Sequence, residues 1–364
     1  MSSSAGPRAG LKPARSLAPE CGFLAGPAAS RAYDRIPAAA QPPSGARLAQ
    51  ALLRFPMPAL ARPALDPEAA AKFRAAGEIA REARTLGAGL IQPGARLRDV
   101  MEAVEAHIRA CGARPAFPAQ TSRNEIAAHY CPSPHDLTEY RAGDVVKIDV
   151  GVEVDGYIAD TAQTVHLGTG GVGDKLVAAS KAALEAAIAV AGPGVLVREL
   201  SAAIERTIDA HGFRPVYNLT GHGLDRWKVH TAPQVPPTPD PHDATVLAPG
   251  MMVAVEPFAT TGKGQVYEKG RAEVFMMHRN PRKLKGLDPG AWAVIAGMQG
   301  LPFARRTFEG RVPEQLVEAT IARLTRIGCL IAFPPLVDPD PAVRISQHEH
   351  TLMVTENGVE AMTA

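Results

Sequence analysis

The 364-residue sequence predicts an α/β (α+β) fold made of two related halves, the second carrying a helical insertion. Three observations lead there: a helical segment recurs at a fixed offset, the strands that follow each copy echo one another, and an Asp-Gly pair marks a β-hairpin. "PGARLRDVMEAVEAHIRACGARP" from Pro93 and "PGVLVRELSAAIERTIDAHGFRP" from Pro193 align without a gap at an offset of 100. The match pairs Pro93, Gly94, Arg98, Gly112, Arg114 and Pro115 with Pro193, Gly194, Arg198, Gly212, Arg214 and Pro215. Each copy is amphipathic at the helical period, through Val100, Val104, Ile108 and Cys111 in one and Leu200, Ile204 and Ile208 in the other. Further on, "RAGDVVKIDVG" and "LAPGMMVAVEP" align from Gly143 and Gly250, which sets Asp149 against Glu256.

In chain order, residues 1–64 come first. They are rich in Ala, Pro, Ser and Gly and hold eight Lys/Arg against two acids, Glu20 and Asp34. With no sustained helical or strand period, the segment is expected to be a disordered extension without function. Its Arg-rich, acid-poor composition faintly resembles an organelle transit peptide, and a start at Met57 is the alternative reading. Residues 65–364 are expected to form the folded domain. They carry a net charge of about −4, no basis for predicting nucleic-acid binding. No apolar run reaches the roughly 18 residues a membrane span needs. The four cysteines (Cys21, Cys111, Cys131, Cys329) lie far apart without a CxxC pair, which argues against a disulfide framework or zinc ribbon and fits a reducing cytoplasm.

Asp66, Pro67 and Glu68 form a helix start, with Asp66 as N-cap. The hairpin "KIDVGVEVDGYIADTAQTV" (Lys147 to Val165) holds four aspartates among strand formers. Asp155-Gly156 is a turn signal. A turn centred there puts Asp160 opposite Gly151; a turn at Val154-Asp155 puts Asp149 opposite Asp160. In both registers the two-residue period sends Asp149 and Asp160 to one face. Two neighbouring anions repel, and a pair of cations about 3.5–4 Å apart would remove that cost. The competing reading is a solvated polar face.

The second half continues the theme. Glu256 in "MMVAVEPF" would be costly to bury without a partner. Glu349 in "ISQHEHTLMV" is read as the analogue of Asp160. It follows Glu256 by 93 residues where Asp160 follows Asp149 by 11, which implies an insertion, placed at about residues 269–334. The insertion holds a helix, "PEQLVEATIARLTRIG" from Pro313, closed by Gly328. His348 and His350 fall on the face opposite Glu349 and are read as structural or solvated. His222 in "NLTGHGLDRWKVH" is the best candidate nitrogen donor. Four carboxylates with one imidazole suit divalent Mn, Fe, Co or Zn.

"KIDVGVEVDGYIADTA", "GHGLDRWKVH", "AVEPFATTGKG" and "SQHEHT" together resemble the type II methionine aminopeptidases, in particular the archaeal form, from about residue 66 to the C-terminus. The resemblance implies the pita-bread fold and a peptidase that removes the initiator methionine of nascent chains, preferentially before a small residue. It implies two divalent ions (Co, Mn, Fe or Zn) held by Asp149, Asp160, His222, Glu256 and Glu349, with Asp160 and Glu349 shared between them. Two cations sharing a water would supply hydroxide for attack on the scissile carbonyl, with Glu256 as proton shuttle. It further implies His129 and His230 as substrate-contacting catalytic histidines, and Phe117 and Phe333 as walls of the methionine pocket. Phe333 falls where the family more usually has Tyr, and His348 where it commonly has Phe. A cytoplasmic monomer working near the ribosome, with no membrane or specific nucleic-acid partner, is the corresponding expectation. The same-fold alternatives are an Xaa-Pro peptidase (prolidase or aminopeptidase P) and a non-catalytic binding protein.

Overall fold

The computed structural model describes residues 65–364, so the extension read at 1–64 lies outside the described residues. Helix α1 (Pro67–Leu90) begins at the expected place, but the Asp66 side chain makes no capping hydrogen bond. Its buried face is built from Ala76, Gly77, Ala80, Ala83 and Gly87, small residues that bring the helix close to the sheet. A Cβ on Gly87 would stand 2.2 Å from Ile148 Cδ1. Next come α2 (Leu97–Ala110), β1 (Arg114–Pro115), β2 (Gln120–Arg123), β3 (Ile126–Ala128), and the ten-residue partners β4 (Val145–Val154) and β5 (Tyr157–His166).

The second half repeats this order: α3 (Gly171–Val190), α4 (Val197–Ala210), β6 (Arg214–Pro215), β7 (Gly221–Asp225), β8 (Lys228–Val235), β9 (Met252–Val255) and β10 (Phe258–Thr260). The offset of 100 survives in the backbone. Gly94 and Gly194 have φ of +88° and +85°, and Gly112 and Gly212 both have +78°, a region open to glycine at no steric cost.

One sheet joins the halves in the order β1-β4-β5-β17-β9-β7-β8, with β2 also on β4 and β18 (Val359–Ala361) on β17 (Glu349–Val354). Every strand pair among the described residues is antiparallel. The seam between the halves is β5 against β17, where Glu349 faces Ala162. Helices α1 and α2 cover the first half over Val146, Ile148 and Val150. Helices α3 and α4 cover the second over Val253, Val255 and Leu352.

Equivalent hydrogen bonds fix the relation between the halves. Gly143 N–H donates to Leu167 O and Gly250 N–H to Val354 O. The outgoing strands therefore correspond at an offset of 107 and the returning strands at 187, so the Asp155-Gly156 turn of one half is opened by 80 residues in the other. That long connection contains a second small sheet, β13 (Phe303–Ala304), β12 (Val274–Met277) and β14 (Leu330–Phe333). It is backed by α5 (Pro289–Gly297) and α6 (Glu314–Arg326) around Phe275, Phe303 and Phe308. Gly328 follows α6 with φ +65°, the left-handed helix end expected from the sequence. The remaining strands are β11 (Tyr267–Glu268), β15 (Leu336–Val337) and β16 (Ile345–Gln347). No described helix is long and apolar enough to cross a membrane.

Candidate metal centre

The hairpin takes the register centred on Asp155-Gly156: Val154 pairs with Tyr157 and Gly151 with Asp160. Asp155 and Gly156 have φ of +52° and +88°, as a two-residue primed turn requires. Asp149 pairs with Ala162, so Asp149 and Asp160 share a face, as expected in either register. The lack of a side chain at Gly151 makes room for a ring: an added Cβ would meet Phe117 at 2.2 Å. Phe117 thereby lies against the strand position opposite Asp160.

His222 is on β7, where it pairs with Ala254 of β9. Its Nε2 lies 3.8 Å from Asp160 Oδ2 and 3.6 Å from Glu256 Oε1. Glu256 is not within a strand; it follows β9 directly and precedes Pro257. The ladder nonetheless keeps its register across that break, since Val255 pairs with His350 and Phe258 with Gln347. Asp160, His222 and Glu349, all buried, offer donor atoms that lie within 4.8 Å of one another.

The register corrects one expectation. At offsets of 107 and 187 the position equivalent to Asp160 is Gln347, and Glu349 corresponds to Ala162. Hydrogen bonds agree: Thr351 Oγ1 bridges the N–H and C=O of Asp160, and Thr164 Oγ1 bridges those of Gln347. Gln347, which sequence reasoning missed, turns its Nε2 into the site, 3.3 Å from Glu256 Oε2 and 3.5 Å from Glu349 Oε2. The offset of 100 also extends to β2 and β7, so His222 stands where the first half has Ser122.

The electrostatics are those of an uncompensated anionic cage. Desolvation pushes the Asp149 carboxyl up to about 7. Asp160, Glu256 and Glu349 are held well above the usual carboxylate range by desolvation and then by one another's charge. His222 is pushed well below the usual imidazole range, first by desolvation and then by His230. Among the described residues no Lys or Arg forms an ion pair with any of the four carboxylates. Asp149 Oδ1 and Asp160 Oδ1 are buried with no hydrogen-bond partner. Buried, unpartnered carboxylate oxygens beside a neutral imidazole nitrogen fit a bound divalent cation, which supplies the missing charge.

The opposite face of the seam holds a hydrogen-bonded chain, although Arg84 Nε within it is buried without a partner. Arg84 of α1 donates to Thr161 Oγ1, which donates to Glu349 O at 2.9 Å. Arg84 Nη1 also lies 3.3 Å from His350 Nδ1, itself 2.9 Å from Thr363 Oγ1. His348 Nδ1 is 2.8 Å from Ser180 Oγ. Of the two expectations for His348 and His350, the structural one holds.

Beside the cage, the His230 ring is 4.3 Å from that of His222. His129 follows β3 with φ +66°, a strained conformation for a non-glycine residue and a mark of functional sites. Its Nδ1 lies 3.3 Å from Pro334 O, and its ring meets Phe333 edge to face at 5.6 Å. Desolvation, with a smaller contribution from His230, pushes the His129 imidazole down to about 4. The long connection thus supplies one wall, Phe333 and Pro334, against a histidine of the first half.

Residues 71–356 match the model of metallopeptidase family M24. The chain belongs to this family. It is 42% identical over 289 residues to the methionine aminopeptidase of Thermococcus onnurineus, covering 79% of this chain and 97% of that one. It is 41% identical to that of Archaeoglobus fulgidus, over 82% of this chain and all of the relative. Among solved structures, methionine aminopeptidase from Thermotoga maritima matches with a TM-score of 0.62 at 25% identity, over 84% and 99% of the two chains. As an M24 member with these relatives, the chain is a metalloaminopeptidase.

Proposed function

We propose that the protein removes the initiator methionine from nascent chains, preferentially when the second residue is small, and that it is of type II with the pita-bread architecture. One observation carries the reading: two halves of the chain bring Asp149, Asp160, His222, Glu256 and Glu349 to one face of the seam, with carboxylate oxygens left without protein partners. Relatives named methionine aminopeptidase at about 40% identity support the substrate. The 80-residue opening between the outgoing and returning strands of the second half supports the type II assignment, with the inserted segment at about 269–334 of a catalytic domain spanning 65–364.

The five side chains would hold two divalent ions, of Co, Mn, Fe or Zn, with Asp160 and Glu349 shared. When bound, the ions supply Lewis acidity for the scissile carbonyl and favour deprotonation of water. Glu256, whose side chain is 15% exposed, would accept a proton from water on its carboxylate and pass it to the leaving amine. His129 and His230 touch the peptide and orient its carbonyl; the His129 imidazole, pushed down to about 4 by desolvation, acts through hydrogen bonds and not charge. Phe117 and Phe333 enclose the methionine side chain and exclude water, the second without the hydroxyl that a Tyr would add. The reading includes a cytoplasmic monomer meeting its substrates near the ribosome, with no membrane or specific nucleic-acid partner.

The test is hydrolysis by purified protein with added Mn or Co. Release of Met from Met-Gly peptides with poor cutting of Xaa-Pro peptides is expected. The reverse preference would place the protein on the prolidase branch, and metal uptake without cleavage of either would make it a binding protein.

A further inference from the structure

Away from the catalytic face, one nitrogen meets two other donors at once. His107 Nε2 on α2 lies 3.5 Å from Glu82 Oε2 on α1 and 3.7 Å from Cys111 Sγ, the residue that caps α2. All three donor atoms fall within 4.8 Å of one another, at the solvent-facing rim where α1 and α2 pack. We propose that Glu82, His107 and Cys111 form a second, peripheral site for a thiolate-preferring divalent ion of the zinc class, which staples α1 to α2.

Geometry favours an ion over a hydrogen-bond chain. A single ring nitrogen carries at most one hydrogen, so it cannot donate to both Glu82 and Cys111, and 3.5 Å is too long for a good N–H···O bond. In a tetrahedral zinc site the usual bond lengths place N and S about 3.6 Å apart and N and O about 3.3 Å apart. The observed 3.7 and 3.5 Å are close to those values. Because His107 and Cys111 are four residues apart, helical geometry presents them on one side. Three protein donors leave a fourth position open to water.

The duplication shows that the fold does not need these residues. At the offset of 100, the second half has Ala182, Thr207 and His211 in their places, and His211 turns to the Thr207 carbonyl at 2.8 Å. The α3–α4 pair packs around its own apolar seam without the donor set. Donor set and helix packing are separable.

Cobalt distinguishes this site from the catalytic cage, whose donors include no sulfur. Titration of the full chain with Co(II) should produce a near-ultraviolet thiolate-to-cobalt band, together with one bound ion beyond those of the cage. Cys111→Ser should abolish the band and that ion while Met release stays unchanged. His107→Ala should weaken the band's apparent affinity by at least about tenfold, the loss that even outer-shell partners of a metal cause when removed. Absence of the band in the unaltered protein, or its persistence in Cys111→Ser, would overturn the proposal, as would an unchanged affinity in His107→Ala.

Discussion

The two halves share a helical scaffold but deliver their carboxylates differently. In the first, Asp149 and Asp160 lie on strands joined by a two-residue turn. In the second, Glu256 sits at a break before Pro257 and Glu349 returns only after the 80-residue opening. Backbone signatures such as Gly94 and Gly194, or the Thr351 and Thr164 bridges, repeat faithfully. The groups to which the proposed chemistry is assigned do not: Asp160 corresponds to Gln347, Glu349 to Ala162, and His222 to Ser122. Duplication built the sheet, and divergence at single positions filled the space at its seam.

The largest expected effect comes from comparing equivalent positions. Asp160→Asn should reduce Met release by at least about a thousandfold, within the range for loss of an essential catalytic group, and should lower metal content. Gln347→Ala, its structural counterpart, should cost about tenfold or less with metal retained. Equal losses at both positions would mean that the halves contribute symmetrically. The next pair is His222→Ala against Ser122→Ala. His222→Ala should lower metal occupancy and activity together, by about a hundredfold, while Ser122→Ala should change neither; turnover unaffected in His222→Ala would remove its ligand role.

Stability of the metal-free protein should also bear the mark of the cage. Asp149 has its carboxyl at about 7 in the folded chain against an ordinary 3.8, so the folded state holds a proton that the unfolded chain has released. Stability therefore falls as pH rises from about 3.8 through about 7. Asp160, Glu256 and Glu349, raised by desolvation, act in the same direction. Saturating metal should flatten this slope in a urea titration; a slope of opposite sign without metal would show that the carboxylates are compensated by the protein. The smallest effect is local. Gly151→Ala forces a Cβ onto the Phe117 ring and should destabilise by about 1–3 kcal/mol through overpacking, raising KM for Met peptides more than it lowers kcat. No change in melting temperature would separate Phe117 from this strand.

Much of this was legible in the sequence because the signals were local. Asp155-Gly156 announced the turn, and the Pro-Gly and Gly-x-Arg-Pro flanks announced the repeated helices. The resemblance implies five donors; in the structure Asp160, His222 and Glu349 lie together, His222 also approaches Glu256, and Asp149 shares the face of Asp160. What failed depended on register across distance. No local pattern reveals that the connection between outgoing and returning strands is longer by 80 residues, and not 82, in the second half, so the sequence alone pairs Glu349 with Asp160 and passes over Gln347. The capping role of Asp66 failed for a different reason: a favourable residue at an N-cap position need not turn its oxygen inward.

The central claim is that five side chains from both halves share one pair of cations. Anomalous diffraction from crystals grown with Mn or Co tests it most directly. The account predicts two peaks about 3.5–4 Å apart, with Asp160 and Glu349 shared between them and Asp149, His222 and Glu256 completing the set. Peaks lying apart, or Asp149 and Glu349 turned toward different ions with no shared ligand, would contradict it.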